Sequence, residues 1–371
     1  MNLNEHCYVP RLLIKAGEMK ALLETNNFLS SEKRKTGHLF PLLVIPDIDW
    51  DYENGQPSDT PSSFISKKKD QIIKNWPRPA FIDAASVVTN PTDSNQPLSL
   101  IDTAFRQFGA KYGMIPVLHD LSTSSDAYSQ VQSLIKAGSC HEVCLRLQNQ
   151  EWLVLAEKSN FISWIQGLNL SENNCHIILD LESSVEESSY TALELVLFAT
   201  LIRSYPSLDF TILGTSIPES PEIPSGMEKV DRREWNNWLT IIKREGGERP
   251  SLPIAFGDYG TVGLGQSVDI DPRIMNISGK FKYTTDDSWL LGKGGLFKGT
   301  KGRDSMGGKA IIPIIDAIVH DPQFRRNHCP TDDWMYEISA GTSTRCGNPT
   351  TWISEAMLHH MISTLEQIGS L

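Results

Sequence analysis

Short apolar segments alternate with amphipathic segments of helical length about eight times between Tyr8 and Thr261, and this alternation limits the possible folds most strongly. The predicted strands are Tyr8–Lys15, Leu39–Ile48, Ala80–Ala85, Met114–Leu121, Glu142–Gln148, His176–Leu181, Phe210–Thr215 and Leu252–Asp258. The predicted helices between them are Gly17–Thr25, Ser63–Trp76, Leu100–Tyr112, Asp126–Ala137, Trp152–Gly167, Tyr190–Tyr205 and Arg232–Arg244. Strands and helices that alternate at this spacing form parallel βαβ units.

Eight such units in about 250 residues predict an α/β fold, namely a closed (β/α)8 TIM-like barrel over residues 1–261. An open, doubly wound parallel sheet is the alternative. It is disfavoured because no glycine-rich dinucleotide fingerprint follows the first strand.

The pattern changes after residue 261. The stretch KFKYTTDDSWLLGKGGLFKGTKGRDSMGGK (280–309) predicts two strands followed by a glycine-lysine loop. Apolar helices are expected over Lys309–His320 and over residues 350–369. Residues 262–371 are therefore predicted to be a C-terminal α+β extension that packs on the barrel and can cover one of its mouths.

The charge balance argues against nucleic acid as a partner, and the hydropathy pattern argues against a membrane. The chain has 45 acidic and 34 basic side chains, a formal net charge of −11. Non-specific binding to duplex nucleic acid is not expected, because it depends on lysine and arginine neutralising phosphates. The longest apolar stretch, around Ala192–Ile202, is too short to span a bilayer, and the six cysteines contain no Cys-x-x-Cys pair. A cytoplasmic protein with reduced cysteines and no membrane partner is expected.

Charged side chains lie at the carboxyl ends of the predicted strands, where barrel enzymes hold their catalytic groups. Ile178 and Asp180 lie on one face of their predicted strand, and Phe256 and Asp258 lie on one face of theirs. If these faces point inward, side chains of both charges form a ring at one mouth of the barrel. The candidate catalytic residues are Lys15, Asp83, Asp120, Arg146, Asp180 and Asp258. His119 is expected to be a hydrogen-bonded histidine at the rim of the mouth, and Asp258 is expected to pair with Lys15 on the adjacent first strand.

This ring of charges admits three interpretations. Carboxylates can hold Mg²⁺ through oxygen ligands while Lys15 and Arg146 bind phosphate. Two carboxylates can instead act as general acid and base on a sugar or an ester. The residues can also neutralise one another as a salt-bridge network or cap the following helices, without any chemistry.

Two further features lie in the predicted extension. The stretch GKGGLFKGTKGRDSMGGK (292–309) concentrates lysines such as Lys293 among glycines and opens a helix, which is typical of anion sites. It departs from the Walker pattern, so a surface loop is the alternative. His359 and His360 are adjacent on the last predicted helix and point about 100° apart. One is expected to pack or cap and the other to face solvent.

Several motifs together resemble the beta protein family, which is named for a protein of a T-even-type phage. In chain order they are YVPRLLIKAGEMKAL, LFPLLVIP, CHIILDLES, LPIAFGDYG, FKYTTDDSWLLGKGG and NPTTWISEAMLHHM. The resemblance implies occurrence in phages and in bacterial mobile or defence gene clusters, and it implies no assigned reaction. The motif positions it marks include Lys15, Gly17, Glu18, Asp180, Gly257, Asp258, Tyr259, Trp352, His359 and His360.

These observations lead to one main functional expectation and two alternatives. The main expectation is a Mg²⁺-dependent phosphoester or nucleotide hydrolase acting at the carboxyl-terminal mouth, in a phage or anti-phage defence context. One alternative is a non-catalytic module that recognises a phosphate-containing ligand or a protein partner from the same operon. The other is a glycosidase-like barrel with two carboxylates across a groove. Candidate ligand-binding residues are Glu18, Tyr259, Lys293, His359 and His360.

Overall fold

Eight parallel strands form a closed barrel, as predicted. The computed structural model describes residues 3–32, 34–84, 111–183, 188–219, 222–243, 252–264, 276–299 and 305–371. In chain order the barrel strands are β1 (Cys7–Leu13), β3 (Leu42–Val44), β6 (Ala80–Asp83), β7 (Met114–Leu118), β8 (Val143–Gln148), β9 (Cys175–Asp180), β10 (Asp209–Gly214) and β12 (Ile254–Asp258). The barrel closes where β12 pairs with β1, with Tyr8 opposite Phe256 and Val9 opposite Gly257.

Short strands complete the predicted second strand and the loop behind it. The short β2 (His38–Leu39) also pairs with β1, so the predicted second strand is present as two pieces around Phe40 and Pro41. The polar loop that follows contains a small hairpin of β4 (Trp50–Asp51) and β5 (Gln56–Pro57).

Helices follow the barrel strands in the predicted order. They are α1 (Ala16–Ser31), α2 (Pro61–Asn75), α3 (Asp126–Lys136), α4 (Lys158–Gly167), α5 (Ser188–Ser204) and α6 (Arg233–Ile242). The helix predicted over Leu100–Tyr112 lies, up to residue 110, outside the described residues. The amino-terminal part of the helix predicted over Trp152–Gly167 is instead a 3-10 helix, Asn149–Ala156. Side-chain caps fix two of the helix starts, because Thr60 accepts from the Ser63 amide and Ser125 accepts from the Tyr128 amide.

Alternate residues of the strands fill two separate layers. Tyr8 and Phe256 point outward and pack under the helices, whereas Val9 and Ala255 point into the barrel. The outward layer holds most of the large aromatic side chains, and the interior is filled mainly by aliphatic and small side chains together with Phe40, Phe81 and Tyr259. The closed interior is therefore a packed core, and polar groups are concentrated near its ends.

A three-stranded antiparallel sheet and three more helices follow the barrel strands. The sheet has the order β11 (Gly226–Asp231), β14 (Ser288–Lys298) and β13 (Ile277–Thr284). A 3-10 helix, Gly307–Ile311, leads into α7 (Ile312–Val319), and α8 (Pro330–Ser339) and α9 (Pro349–Gly369) complete the chain. Since β11 lies between β10 and α6, the small sheet takes one of its strands from within residues 1–261. The small sheet, α7 and α8 are together called the insertion below.

The last helix, α9, occupies the place of an eighth barrel helix. It packs along α1 and β1. The backbone of Thr350, at its start, lies close to Gly17 beyond the carboxyl end of β1, and Gly369, at its end, lies against Thr36 just before β2. Helix α9 therefore runs opposite to the strands on the outside of the barrel. Among the described residues, no helix has the length and apolar character needed to cross a membrane.

The glycine-lysine stretch is only partly a loop. The prediction is wrong for its first half, because β14 continues to Lys298, and the Lys293 ammonium donates to the Ile223 carbonyl at 3.1 Å. A Cβ atom on Gly294 would meet the Ala310 carbonyl, and one on Gly292 would meet the Ile314 side chain. These two glycines let a helical segment lie directly on the strand. Residues 300–304 lie outside the described part of the chain.

Candidate active site at the barrel mouth

Four buried polar side chains converge inside the carboxyl-terminal mouth of the barrel. Asp83 ends β6, Arg146 lies near the end of β8, Asp180 ends β9, and Tyr259 follows β12. All four are at most 5 % exposed. Each lies on the inward face of its strand. Strand alternation puts Arg146 on the same face as Cys144 and Asp180 on the same face as Ile178, and both Cys144 and Ile178 line the barrel interior. These four residues are called the mouth cluster below.

Arg146 bridges the two carboxylates of the mouth cluster. Its Nη1 donates to Asp83 Oδ2 at 2.8 Å, while its Nε and Nη2 donate to Asp180 Oδ2 at 2.8 and 2.5 Å. Burial alone would lower the pKa of Arg146, but Asp180 and Asp83 hold it well above its usual value. The guanidinium is therefore charged, and its single positive charge only partly balances the two negative charges of the carboxylates.

Tyr259 joins the cluster to the first strand. Its hydroxyl donates to Asp180 Oδ2 at 2.7 Å, and burial, together with the Asp180 charge, raises its pKa well above the usual value. The Arg11 guanidinium, on β1, lies 4.8 Å from the centre of the Tyr259 ring. Arg11 Nε is buried without a hydrogen bond in the described part of the chain. A second cation therefore lies beside the cluster.

His119 lies next to the mouth cluster and, unlike its four buried members, is partly exposed to solvent. It follows β7, its side chain is 27 % exposed, and its Nε2 lies 3.0 Å from Asp83 Oδ1. Because a carboxylate can only accept, Nε2 donates and the imidazole is held in one orientation. In the described contacts Nδ1 makes no hydrogen bond, so this nitrogen is not already engaged as an acceptor. A buried carboxylate that orients a partly exposed imidazole is the arrangement used for general acid–base catalysis.

The other predicted residues near this end of the barrel are arranged differently. Lys15 is exposed at the start of α1, and Asp120 is exposed and accepts from the Ser122 amide at 2.8 Å in a turn. Glu18 is buried, and its carboxylate accepts from the Leu13 amide at 2.6 Å, which ties β1 to α1. The structure therefore brings together Asp83, Arg146 and Asp180, leaves Lys15 and Asp120 at the surface, and gives Glu18 a structural contact.

Asp258 lies outside the barrel wall. The inward orientation expected for the face of Phe256 and Asp258 is wrong, because that face packs against the helices. Asp258 Oδ2 accepts from His360 Nε2 at 2.8 Å and Oδ1 from the Tyr8 hydroxyl at 2.7 Å. The expected ion pair with Lys15 is therefore also wrong, since Lys15 is exposed and Asp258 is buried on the other side of the strand.

Both histidines of α9 are fully buried, so the expectation that one of them faces solvent is wrong. His360 lies in the seam between barrel and helix with Asp258. His359 faces the insertion, where its Nε2 lies 2.9 Å from the Thr284 carbonyl. Neither histidine belongs to the mouth cluster, and neither does Lys293, which lies in the small sheet.

Two groups of functional candidates were not predicted from the sequence. Arg11 could have been found, because it shares the inward face of β1 with Val9. A second group lies within the C-terminal region and consists of His328, Cys329, Asp332 and His359, of which only His359 is a candidate from the sequence. It could not have been found from local spacing, because His359 joins it from a different helix.

The comparisons with known proteins give one match. A family model described as Beta protein matches residues 8–366, nearly the whole chain. No curated protein and no solved structure matches.

Proposed function

The chain belongs to the beta protein family, and we propose that it is an enzyme that hydrolyses a phosphoester at the carboxyl-terminal mouth of its barrel. His119 acts as the general acid–base group, Asp83 orients it, and Arg11 and Lys15 attract the phosphate. Water forms the new bond to phosphorus, the ester oxygen leaves, and the proton taken from water by His119 Nδ1 is returned to that oxygen.

The hydrogen bond between Asp83 and His119 carries this proposal. Asp83 is 1 % exposed and cannot itself meet a substrate in solution. Its effect reaches the mouth through His119, whose side chain is 27 % exposed. General acid–base catalysis needs such a positioned group, and its contribution is about 10²–10⁴-fold in rate.

Two cations near the mouth support an anionic substrate. Arg11 lies beside the mouth cluster and Lys15 is exposed at the end of β1. Arginine and lysine both bind phosphate well, the first through several directed N–H groups and the second as a compact charge. A phosphate bound between Arg11, Lys15 and His119 would lie close to the imidazole that acts as the general acid–base group.

The predicted requirement for Mg²⁺ has weaker support than the role of His119. Asp83 and Asp180 already bind Arg146, so a cation held by both carboxylates would have to displace a buried guanidinium. Among the described residues, the mouth contains no group of three or more acidic, histidine or cysteine side chains with ligand atoms in close range. The proposed reaction therefore uses protein groups, and Mg²⁺ is varied in the test.

The test compares wild-type protein with His119→Ala and Asp83→Asn on a panel of phosphomonoesters, phosphodiesters and nucleotides, with Mg²⁺ and with EDTA. His141→Ala is the matched control, because His141 is exposed at the opposite end of the barrel. We expect His119→Ala to lose about 10²–10⁴-fold in kcat on the best substrate, with unchanged unfolding. No hydrolysis of any panel member by the wild type, or equal rates for His119→Ala, would refute the proposal.

A non-catalytic binding module is the second candidate, favoured because Arg146 Nε, Nη1 and Nη2 are all already bound to Asp83 and Asp180 within the mouth cluster. It would recognise a phosphorylated ligand or a protein encoded in the same phage or anti-phage defence gene cluster. This candidate predicts that a panel member raises the melting temperature of the protein without being turned over. His119→Ala would then retain that shift, whereas Arg11→Ala would lose it.

A further inference from the structure

Four side chains of the types that bind zinc converge at the junction of α8 and α9. His328 and Cys329 precede α8, Asp332 lies in its first turn, and His359 lies on α9. One potential ligand atom from each residue lies within 4.8 Å of all the others. We propose that His328, Cys329, Asp332 and His359 form a structural zinc site.

The separations of the ligand atoms are close to those of a tetrahedral site. Asp332 Oδ2 lies 3.0 Å from Cys329 Sγ, 3.3 Å from His359 Nδ1 and 3.5 Å from His328 Nδ1. Cys329 Sγ lies 3.6 Å from His359 Nδ1. Around Zn²⁺ with bonds of about 2.0–2.3 Å, neighbouring tetrahedral ligands are roughly 3.3–3.8 Å apart. All four ligand atoms lie within 4.8 Å of one another, so shifts of up to about an ångström would complete the coordination.

The contacts behind the ligands match those of metal-binding histidines. His359 Nε2 donates to the Thr284 carbonyl at 2.9 Å, and His328 Nε2 lies 2.6 Å from Glu366 Oε2. In metal sites the second ring nitrogen of histidine usually donates to a carbonyl or a carboxylate in this way. Both contacts direct the Nδ1 atoms at the same point, and His328 Nδ1 is buried without a hydrogen bond in the described chain.

The carboxylate ligand, Asp332, is held by the same type of outer contact. The Tyr283 hydroxyl donates to Asp332 Oδ1 at 2.9 Å, which leaves Oδ2 turned toward Cys329 and the two imidazoles. Glu366 in turn is bound by Arg34 Nη1 at 2.7 Å. His328, Asp332 and His359 are therefore each fixed by a neighbour before any ion arrives, as a pre-organised site requires.

The charges at this point call for a cation. Two imidazole nitrogens and a carboxylate oxygen converge, and the Cys329 thiol supplies one hydrogen among them. Either protons on the histidines or a metal ion must separate these lone pairs. On binding, the thiol proton leaves to solvent, and Zn²⁺ is neutralised by one thiolate and one carboxylate. Mixed nitrogen, sulfur and oxygen ligands suit zinc, whereas Mg²⁺ prefers oxygen alone.

The site is closed, which indicates a structural role. The side chains of Asp332 and His359 have no exposed area, Cys329 is 3 % exposed, and the His328 side chain is 12 % exposed. With all four ligands bound, no coordination position remains for a substrate. The ion would fasten the start of α8 to α9 and so hold the insertion on the barrel. This role is independent of the chemistry proposed at the mouth.

The experiment uses the full chain, stripped of metal with a chelator, dialysed and then titrated with Zn²⁺ or Co²⁺. We expect one zinc ion per chain and, with Co²⁺, the thiolate-to-cobalt absorption band and the intense visible bands of tetrahedral cobalt. Cys329→Ser should lose the thiolate band, and His359→Gln should weaken binding more than 10-fold. Cys346→Ser is the matched control, because Cys346 is another buried free cysteine, which lies outside the cluster.

Removal of zinc should lower the melting temperature of the wild type and of Cys346→Ser, and adding zinc back should restore it. If a variant does not fold, the zinc content and cobalt spectrum of the wild type still decide the question. Wild-type protein that binds no stoichiometric zinc and shows no cobalt–thiolate band contains a proton-bridged network, and the proposal is then wrong. An unchanged band in Cys329→Ser would also overturn it.

Discussion

His360 Nε2 lies 2.8 Å from Asp258 Oδ2, and both side chains are buried where α9 packs on the last strand of the barrel. The Tyr8 hydroxyl and the Gly260 amide also donate to this carboxylate. Burial raises the pKa of Asp258, but His360 and the other donors bring it below its usual value. Asp258 therefore joins the first strand, the last strand and the last helix where the barrel closes.

Tyr8→Phe tests this closure. The substitution keeps the ring that stacks on Phe256 and removes one hydrogen bond to a buried charge. We expect the free energy of unfolding, measured with urea, to fall by about 1.5–3 kcal/mol. Tyr336→Phe is the control, because Tyr336 is only half-buried and its hydroxyl makes no hydrogen bond in the described chain; its effect should stay within about 0.5 kcal/mol. Equal effects of the two substitutions would contradict the role of Asp258.

Glu18 should make the protein less stable as the pH rises from about 4.5 to 7. Burial raises the pKa of this carboxyl from 4.5 to about 7 in the folded protein. Between these values the unfolded chain has lost the proton while the folded chain still holds it, so rising pH favours unfolding. The full difference is worth about 3 kcal/mol.

Glu18→Gln should remove this dependence, because the amide oxygen can still accept from the Leu13 amide but does not titrate. The measurement is urea unfolding of both proteins at pH 4.5, 5.5, 6.5 and 7.5. The difference in stability between variant and wild type should grow in favour of the variant across this range. A constant difference would show that Glu18 does not titrate there.

Gly294→Ala should destabilise the insertion. Its Cβ atom would meet the Ala310 carbonyl, which is backbone and has little room to move. We expect a loss of about 1–3 kcal/mol. Gly295→Ala is a control one residue away, since its Cβ would meet only the flexible, exposed side chain of Met306, which can move aside, and its cost should stay within about 0.5 kcal/mol. Thermal unfolding separates the two variants, and equal melting temperatures would argue against a packing role for Gly294.

The barrel could be predicted from the sequence because its signal is local and repeated. Each strand and helix has its own hydrophobic period, and eight repeats leave few alternatives. The direction of each strand face could not be predicted in the same way. Alternation sets Phe256 and Asp258 on one side, but the side is decided by Trp235 and Trp238 of α6, which pack on Phe256 outside the barrel.

The contacts of α9 also depend on the tertiary fold. Its apolar sequence predicts a helix, but its position beside α1 follows from the closure of the barrel between β12 and β1. The two histidines then meet partners far away in the chain, Asp258 for His360 and Asp332 for His359. No local spacing encodes these pairs, so the sequence could mark the histidines only as candidates.

Arg146→Met should be the most destabilising single change in the barrel interior. It leaves Asp83 and Asp180 buried without their shared cation, and breaking a buried ion pair in this way costs about 3–5 kcal/mol. Arg345→Met, on an exposed arginine, should change the unfolding free energy by less than about 0.5 kcal/mol.

A triple variant separates lost charge from lost packing. In Arg146→Met combined with Asp83→Asn and Asp180→Asn, no charge remains buried without a partner. Removing both partners of a buried pair is less costly than removing one. The triple variant should therefore be more stable than Arg146→Met alone, although it carries two further substitutions, and urea unfolding of the two proteins tests this order. The reverse order would mean that Arg146 supports the mouth through its packing.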